Sequence, residues 1–416
     1  MSVQVVLLGA GGGMGRMAAR HLARTPGIDR LVLSDARYAA AEAVRTGLDT
    51  SSTGVTVDVA GVDILDGTAL RTTFSDADVV LNCAGPFFRL GVPVLEAAIE
   101  TGTAYIDICD DPAPTRAMLA LDARAREAGV SAVIGMGASP GLSNLLARRA
   151  ARHLDVVESC FTAWPLDLPA PGSTDVATDD VVAPDGRPTA AAIHLMEQIS
   201  GVVDVVDAGQ LVERAPLRPV MLDYPGRGSG TGYVVGHPEP ITLHTSLALT
   251  GDGACLMLVR PASLAYLREI QRDLDRGRLD HHAAALALVR PTAGRSVRAA
   301  FGARGVAGAG ALPSFFVHLT GTKDGARVEV GCHLTSAPTG MDGITAIPAV
   351  LALRQMLDQP LAPGVHAPEQ VIDPDRLLLD LLPHCTPSVE TVDDLAPVAV
   401  RAVRSNARRH RHAAEQ

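Results

Sequence analysis

The sequence holds a single lysine, Lys323, among 36 basic residues. Residue 319 is a leucine, so the Tyr-x-x-x-Lys arrangement of short-chain dehydrogenases is excluded. Aromatic residues are 3 % of the chain, too few for a surface that stacks bases or sugars. The net charge of −10 argues against a general nucleic-acid binder, which needs a basic face. The six cysteines (Cys83, Cys109, Cys160, Cys255, Cys332 and Cys385) are scattered, and no two have C-x-x-C spacing. That excludes a zinc knuckle or thioredoxin-type site and reads as free thiols in a reducing compartment. No apolar run reaches the ~18 residues of a spanning helix, and no leader with a basic start and apolar core opens the chain. A cytoplasmic protein without membrane or nucleic-acid partners is expected.

What is present is an ordinary globular composition, 47 % hydrophobic over 416 residues. Short apolar runs at Val5–Leu8, Leu31–Leu33, Val55–Val59, Val79–Leu81, Tyr105–Ile108 and Ala132–Ile134 alternate with helical stretches at Met14–Ala23, Val92–Glu100 and Pro114–Ala128. This is the α/β pattern of a doubly wound, Rossmann-type parallel sheet with helices on both faces. Beyond Leu154 the texture changes. Pro165–Pro188 reads as a long loop, Ala190–Ile199 as a helix, Leu243–Leu249 and Phe315–Leu319 as strands, and Gly343–Leu357 as a strongly apolar helix. We expect a dinucleotide-binding domain over 1–140, an α+β substrate and dimerisation domain over 141–335, a segment over 336–400 returning to the first domain, and a disordered basic tail over 401–416.

The sharpest motif is Gly9-Ala10-Gly11-Gly12-Gly13-Met14-Gly15, between the first strand and its helix. Glycines there permit a tight turn and a close approach of a pyrophosphate to the helix N-terminus. Asp35 ends the next strand 20 residues past Gly15, where a carboxylate meets the adenosine ribose hydroxyls. Asp35 favours NAD, whereas Arg37 could clamp the 2′-phosphate of NADP. Asn82, Ala84, Gly85 and Pro86, at the end of the fourth strand, are placed beside the nicotinamide. Asp107, Asp110 and Asp111 end the fifth strand and could hold a cationic amine or move a proton; Asp110 and Asp111 could equally cap the helix that follows. His237 sits in a turn with Glu239, a candidate substrate contact, and could pair with it as an acid/base unit or be a satisfied loop residue. Arg227, in the Tyr224-Pro225-Gly226 turn, is a candidate clamp for a substrate carboxylate. Gly137-Ala138-Ser139-Pro140-Gly141 imitates a hydrolase nucleophile elbow, but Pro140 has no N–H to offer an oxyanion. Ser139 and Asn144 are therefore placed at a turn and helix start facing the substrate cleft. The His, Asp and Glu residues show no metal-ligand spacing.

These residues resemble the saccharopine dehydrogenase superfamily. The resemblance runs through Gly9–Gly15, Asp78–Phe87, Gly102–Asp107 and Gly137–Asn144, and reappears at Gly236–Pro240 and Gly364–Glu369. It implies a Rossmann domain, a second domain that dimerises, and a late helix returning to the first. It also implies a NAD(P)-dependent oxidoreductase moving a hydride to or from a carbon–nitrogen centre of an amino-acid-like substrate. Two alternatives stay open: reduction of a carbon–carbon double bond on the same fold, and a non-catalytic dinucleotide sensor. Substrate and direction are not legible, because 170–214 fits no pattern of that family.

Overall fold

The structure is a computed structural model and describes residues 2–166 and 187–403. The first part alternates as β1 (Gln4–Leu8), α1 (Gly13–Leu22), β2 (Arg30–Asp35), α2 (Tyr38–Thr46), β3 (Thr56–Gly61) and α3 (Gly67–Phe74). It continues with β4 (Val79–Asn82), α4 (Phe87–Thr101), β5 (Ala104–Asp107), α5 (Pro112–Leu119), α6 (Asp122–Ala128), β6 (Ser131–Val133) and α7 (Leu142–Ala151). The central strands are apolar on both faces, and Val5, Leu7, Leu31, Leu33, Leu81, Ile106 and Val133 are fully buried. A strand covered on two sides gains burial from every residue, which explains the continuous apolar runs. The chain order β3-β2-β1-β4-β5-β6 reverses direction between β1 and β4. Ligands of such sheets bind in the crevice where the order reverses.

The second part opens with β7 (Val156–Pro165), α8 (Ala190–Gln198), β8 (Val203–Asp207), β9 (Gln210–Arg214), β10 (Pro219–Tyr224) and β11 (Gly228–Val235). Then come α9 (Glu239–Ser246), β12 (Gly253–Leu258), α10 (Pro261–Asp275), α11 (His281–Val289), α12 (Ala293–Gly302), β13 (Phe316–Lys323) and β14 (Ala326–His333). These strands form a mixed sheet ordered β10-β11-β12-β7-β13-β14, with β8 joined to β12 and to β9. Pairing across it sorts the two faces. Cys255 lies opposite Thr162 and Met257 opposite Trp164, while Leu256 lies opposite Ala163. Cys255 and Met257 face α8 and α10, and Leu256 shares the other side with Tyr224 and Phe316.

The last part is α13 (Gly340–Asp358), β15 (Gly364–His366), α14 (Pro368–Val371), α15 (Pro374–Leu381), α16 (Val392–Leu395) and β16 (Val398–Ala402). Helix α13 packs against α1 and α15 and is buried nearly all round, so its sequence shows little amphipathic period. Strand β15 pairs with β6 and extends the first sheet to seven strands. Strand β16 pairs with β14 instead, so the end of the expected returning segment belongs to the second sheet. Arg401 and Ala402, expected in the tail, are strand residues; 404–416 lie outside the described residues, as does most of the expected 165–188 loop.

One expected element has another form. Leu243–Leu249 reads as a strand, yet Leu243 and its neighbours through Ser246 belong to α9. A short apolar run has no period that separates strand from buried helix. Pro238 and Pro240 settle it, because a proline is tolerated in the first helical turn. Among the described residues no helix is long and apolar enough to cross a membrane.

Candidate functional site

The glycine turn is built by exclusion. Gly9 has φ +76°, and a Cβ there would lie 2.8 Å from the Ala84 nitrogen. The first and fourth strand ends therefore meet backbone to backbone. A Cβ on Gly15 would lie 2.0 Å from the Gly9 carbonyl oxygen, so α1 starts flush against the turn. A Cβ on Gly13 would meet nothing within 4 Å, which leaves the mouth of the turn open. A flush helix start beside an open mouth fits a pyrophosphate, since the first N–H groups of α1 and its positive dipole end point outward.

The end of β2, where the adenosine ribose is expected, differs from expectation in one respect. Both carboxylate oxygens of Asp35 already accept backbone donors: Oδ2 from the Gly11 N–H at 2.9 Å and Oδ1 from the Arg37 N–H at 2.9 Å. Beside it lies a cavity of about 390 Å³ lined by Arg16, Arg20 and Arg37 together with the exposed side of α2. Three guanidiniums around one concavity suit a phosphate better than a neutral ribose.

The end of β4, where the nicotinamide is expected, is locked by a buried network. Asn82 Oδ1 accepts the Ala84 N–H at 3.0 Å, and its Nδ2 donates to the Tyr105 hydroxyl at 3.2 Å. Tyr105 donates to Asp107 Oδ2 at 2.7 Å, and Asp107 Oδ1 accepts the N–H groups of Cys109 and Gly135. Burial raises the Asp107 carboxyl to about 6 despite these donors. With three hydrogen bonds and no exposed surface, Asp107 ties the ends of β5 and β6 together, and it does not meet the cleft.

Asp110 and Asp111 do meet it. Asp111 sits at the N-cap position of α5, but its side chain makes no capping bond. It reaches His194 of α8, with Oδ1 2.8 Å from Nδ1, while Asp110 Oδ2 lies 3.2 Å from Nε2. Burial alone would lower the His194 pKa. The Asp110 charge and hydrogen bonds to Asp110, Asp111 and Glu197 outweigh it and hold His194 well above the ordinary histidine range. Burial would raise Asp110, but His194 keeps it below the usual carboxylate range. The group is an imidazolium clasped by two carboxylates, with Asp110 more than a third exposed.

Behind it lies a second, largely buried layer. Gln198 Nε2 is 2.6 Å from His194 Nε2 and 2.7 Å from His237 Nε2, so one amide joins the two rings. Glu239 Oε1 accepts the hydroxyls of Ser139 and Ser143. Burial would raise the Glu239 pKa, but His237 and the Ser139 hydroxyl lower it. Asn144 is spent on structure: its Nδ2 donates to Glu369 Oε2 at 2.8 Å and to Thr242 Oγ1 at 3.0 Å, and its Oδ1 accepts the Gly141 N–H.

The fold thus gathers Asp110, Asp111, Ser139, His237 and Glu239, which are separate in sequence, around α8 and α9. Arg227 is not brought there. It lies 2.8 Å from His333 Nε2, and His333 also meets Tyr224, on the opposite face of the second sheet. A turn residue's direction depends on how its hairpin folds over the sheet, and no local signal carries that. His194, Gln198 and Cys255 escaped sequence reasoning. The spacing of His194 and Gln198, one helical turn apart on an apolar helix, is a signal for those two, and Cys255 has none.

Residues 5–133 match the family model described as the saccharopine dehydrogenase NADP-binding domain. A saccharopine dehydrogenase-like oxidoreductase of Rattus norvegicus is 32 % identical over 123 residues, 26 % of this chain and 28 % of that protein. A trans-acting enoyl reductase of Mycobacterium leprae is 33 % identical over 104 residues, 25 % of this chain and 24 % of that protein. The aligned stretches span about a quarter of the length of these curated relatives. The saccharopine dehydrogenase (L-Glu forming) of Saccharomyces cerevisiae superposes with a TM-score of 0.58 at 15 % identity, over 97 % of this chain and all of the other. The glycine cradle fits the nicotinamide dinucleotide that the matched domain is named for. Residues 5–133 are thus similar to the NADP-binding domain of saccharopine dehydrogenase, and the two-sheet architecture is the fold of saccharopine dehydrogenase.

Proposed function

We propose that the protein is an NADP-dependent oxidoreductase acting at a carbon–nitrogen centre, interconverting an amine and an imine. The observation that carries this reading is the clasped imidazolium of His194 at the carboxyl ends of the strands beside the nicotinamide edge. A bound nicotinamide supplies or takes up the hydride. Hydride addition to an imine carbon is easier when the nitrogen is protonated, and an imidazolium can provide that proton. In the reverse direction the neutral ring accepts it. Asp110 and Asp111 keep the ring oriented and charged, and the part-exposed Asp110 attracts a cationic amine.

The test is paired. Purified protein is offered NADP+ with a panel of amino acids and diamines, and separately NADPH with enoyl thioesters. Reduction of NADP+ dependent on an amine is expected. Oxidation of NADPH dependent only on enoyl compounds would establish the second reading, reduction of a carbon–carbon double bond, which is supported by relatives named trans-acting enoyl reductase. Cofactor binding with no turnover on either panel would leave the sensor.

The choice of NADP over NAD rests on the three arginines and on the engagement of Asp35 by backbone donors. Arg37→Ala should weaken NADPH binding by about 10- to 100-fold, the loss of one charge-assisted contact of ~1.5–3 kcal/mol, and leave NADH nearly unchanged. Calorimetric titration with each cofactor measures it. Equal losses for both would remove the phosphate from this cavity.

A further inference from the structure

The buried layer behind His194 contains polar atoms that the fold leaves unanswered. His237 Nδ1 and Glu239 Oε2 have no hydrogen-bond partner, although their residues are only 4 % and 1 % exposed. The two atoms lie 3.3 Å apart. Cys255 Sγ is 3.8 Å from the other Glu239 oxygen, and the sulfur, a carboxylate oxygen and a ring nitrogen all lie within 4.8 Å of one another. On the adjacent strand β7, Thr162 Oγ1 and Trp164 Nε1 are buried without partners on the same face of the sheet. The Trp164 ring lies 5.4 Å from that of His237. Each such orphan costs ~1–3 kcal/mol, and native interiors leave very few. His237 and Glu239 face only each other, and Thr162 and Trp164 face only the Cys255 sulfur, so the polar gap among them calls for an occupant.

We propose that His237 Nδ1, Glu239 and Cys255 Sγ bind a divalent transition-metal ion of the zinc class. With Zn–S near 2.3 Å and Zn–N or Zn–O near 2.0–2.2 Å, tetrahedral ligands stand about 3.4–3.6 Å apart, which three atoms already within 4.8 Å of one another reach by small side-chain rotations. Thiolate, carboxylate and neutral imidazole around a dication sum to zero charge, which suits a buried position. Binding displaces the thiol proton to solvent. The thiolate is then a stronger acceptor for the Thr162 O–H and Trp164 N–H that face the sulfur, and the ion engages His237 Nδ1 and the Glu239 carboxylate. Turning the Gln198 amide by a half-rotation presents Oε1 to the His237 Nε2–H, the outer-shell acceptor that a ligating histidine needs. The same oxygen also faces the His194 Nε2–H. The fourth position lies on the side of Ser139, whose hydroxyl is 3.9 Å from the sulfur and which is part-exposed to the cleft. Histidine, glutamate and cysteine here are 18 residues apart at most, but no regular spacing announces them. The register of β12 against β7 and the proline-led start of α9 bring them together.

The test uses the full chain, freed of metal by a chelator and titrated with cobalt(II). Cobalt reports on a thiolate ligand through a near-ultraviolet charge-transfer band, and on tetrahedral geometry through strong visible absorption. Both are expected to saturate at about one equivalent, and zinc should bleach them. Cys255→Ser should remove the charge-transfer band, and Glu239→Gln should weaken cobalt binding by about 10- to 100-fold. Cys332→Ser, on another part of the sheet, should change neither. A folded wild-type chain that develops no band, or a band that survives Cys255→Ser, overturns the site. Should Cys255→Ser not fold, the wild-type titration and Glu239→Gln decide. None of these readouts depends on which bond the enzyme reduces.

Discussion

Gly15→Ala should abolish detectable dinucleotide binding, a loss of at least about 100-fold, while the second sheet stays folded. The added Cβ would stand 2.0 Å from the Gly9 carbonyl oxygen and 2.8 Å from the Ala10 Cα, both backbone atoms with nowhere to go. The only relief is to push the start of α1 away from β1. That spreads the N–H groups that would meet the pyrophosphate and removes the dipole end from the anion. Gly13→Ala is the matched control, because its Cβ would meet no protein atom within 4 Å. It should weaken binding only by crowding the ligand itself. Calorimetric titration with NADPH compares the two, and far-ultraviolet circular dichroism checks the fold. Full binding by Gly15→Ala would show that the turn is not the cofactor cradle.

The second large effect is at His194. His194→Gln should lower turnover by about 10²- to 10⁴-fold, the usual contribution of a positioned acid or base. The pH profile carries the distinguishing information. With its pKa held above the ordinary histidine range, His194 is charged through neutrality. Imine reduction should then be level at neutral pH and fall as pH rises through the raised pKa, while amine oxidation should rise over the same interval. In His194→Gln that limb should disappear from both directions. A variant that loses rate but keeps the limb would make His194 a positioning residue. The ion pair also affects stability with a definite sign. A histidine whose folded pKa is raised contributes fully below the unfolded value of about 6.5, and its contribution is lost as pH climbs through the folded one. Wild type should therefore lose stability relative to His194→Gln on the alkaline side.

Much of the first domain was legible because its signals are local. A strand buried on both faces needs an unbroken apolar run, and Val5–Leu8 and Val79–Leu81 show one. The glycines at 9 and 15 report backbone contacts inside a single β-α-β unit. The same locality misled elsewhere. Leu243–Leu249 is apolar enough for either element, and the prolines before it decided for a helix. Asp107 ends a strand exactly as Asp110 and Asp111 follow one, yet the β6 turn at Gly135 claims its carboxylate. Asn144 likewise points to Glu369, 225 residues away, a partner no window along the chain could reveal.

The sequence by itself determined the alternating architecture, the glycine turn between β1 and α1 and the exclusion of a Tyr-x-x-x-Lys site, since each depends on residue type and short spacing. The tertiary structure alone decided which polar groups meet. His194 comes from α8, its carboxylates from the end of β5, and Cys255 from β12. Buried charges must find partners wherever the fold supplies them, and those partners are set by sheet register and helix packing across hundreds of residues. The arginine-lined cavity beside Asp35 was decided in the same way, by where the fold places α1 and α2 on either side of it.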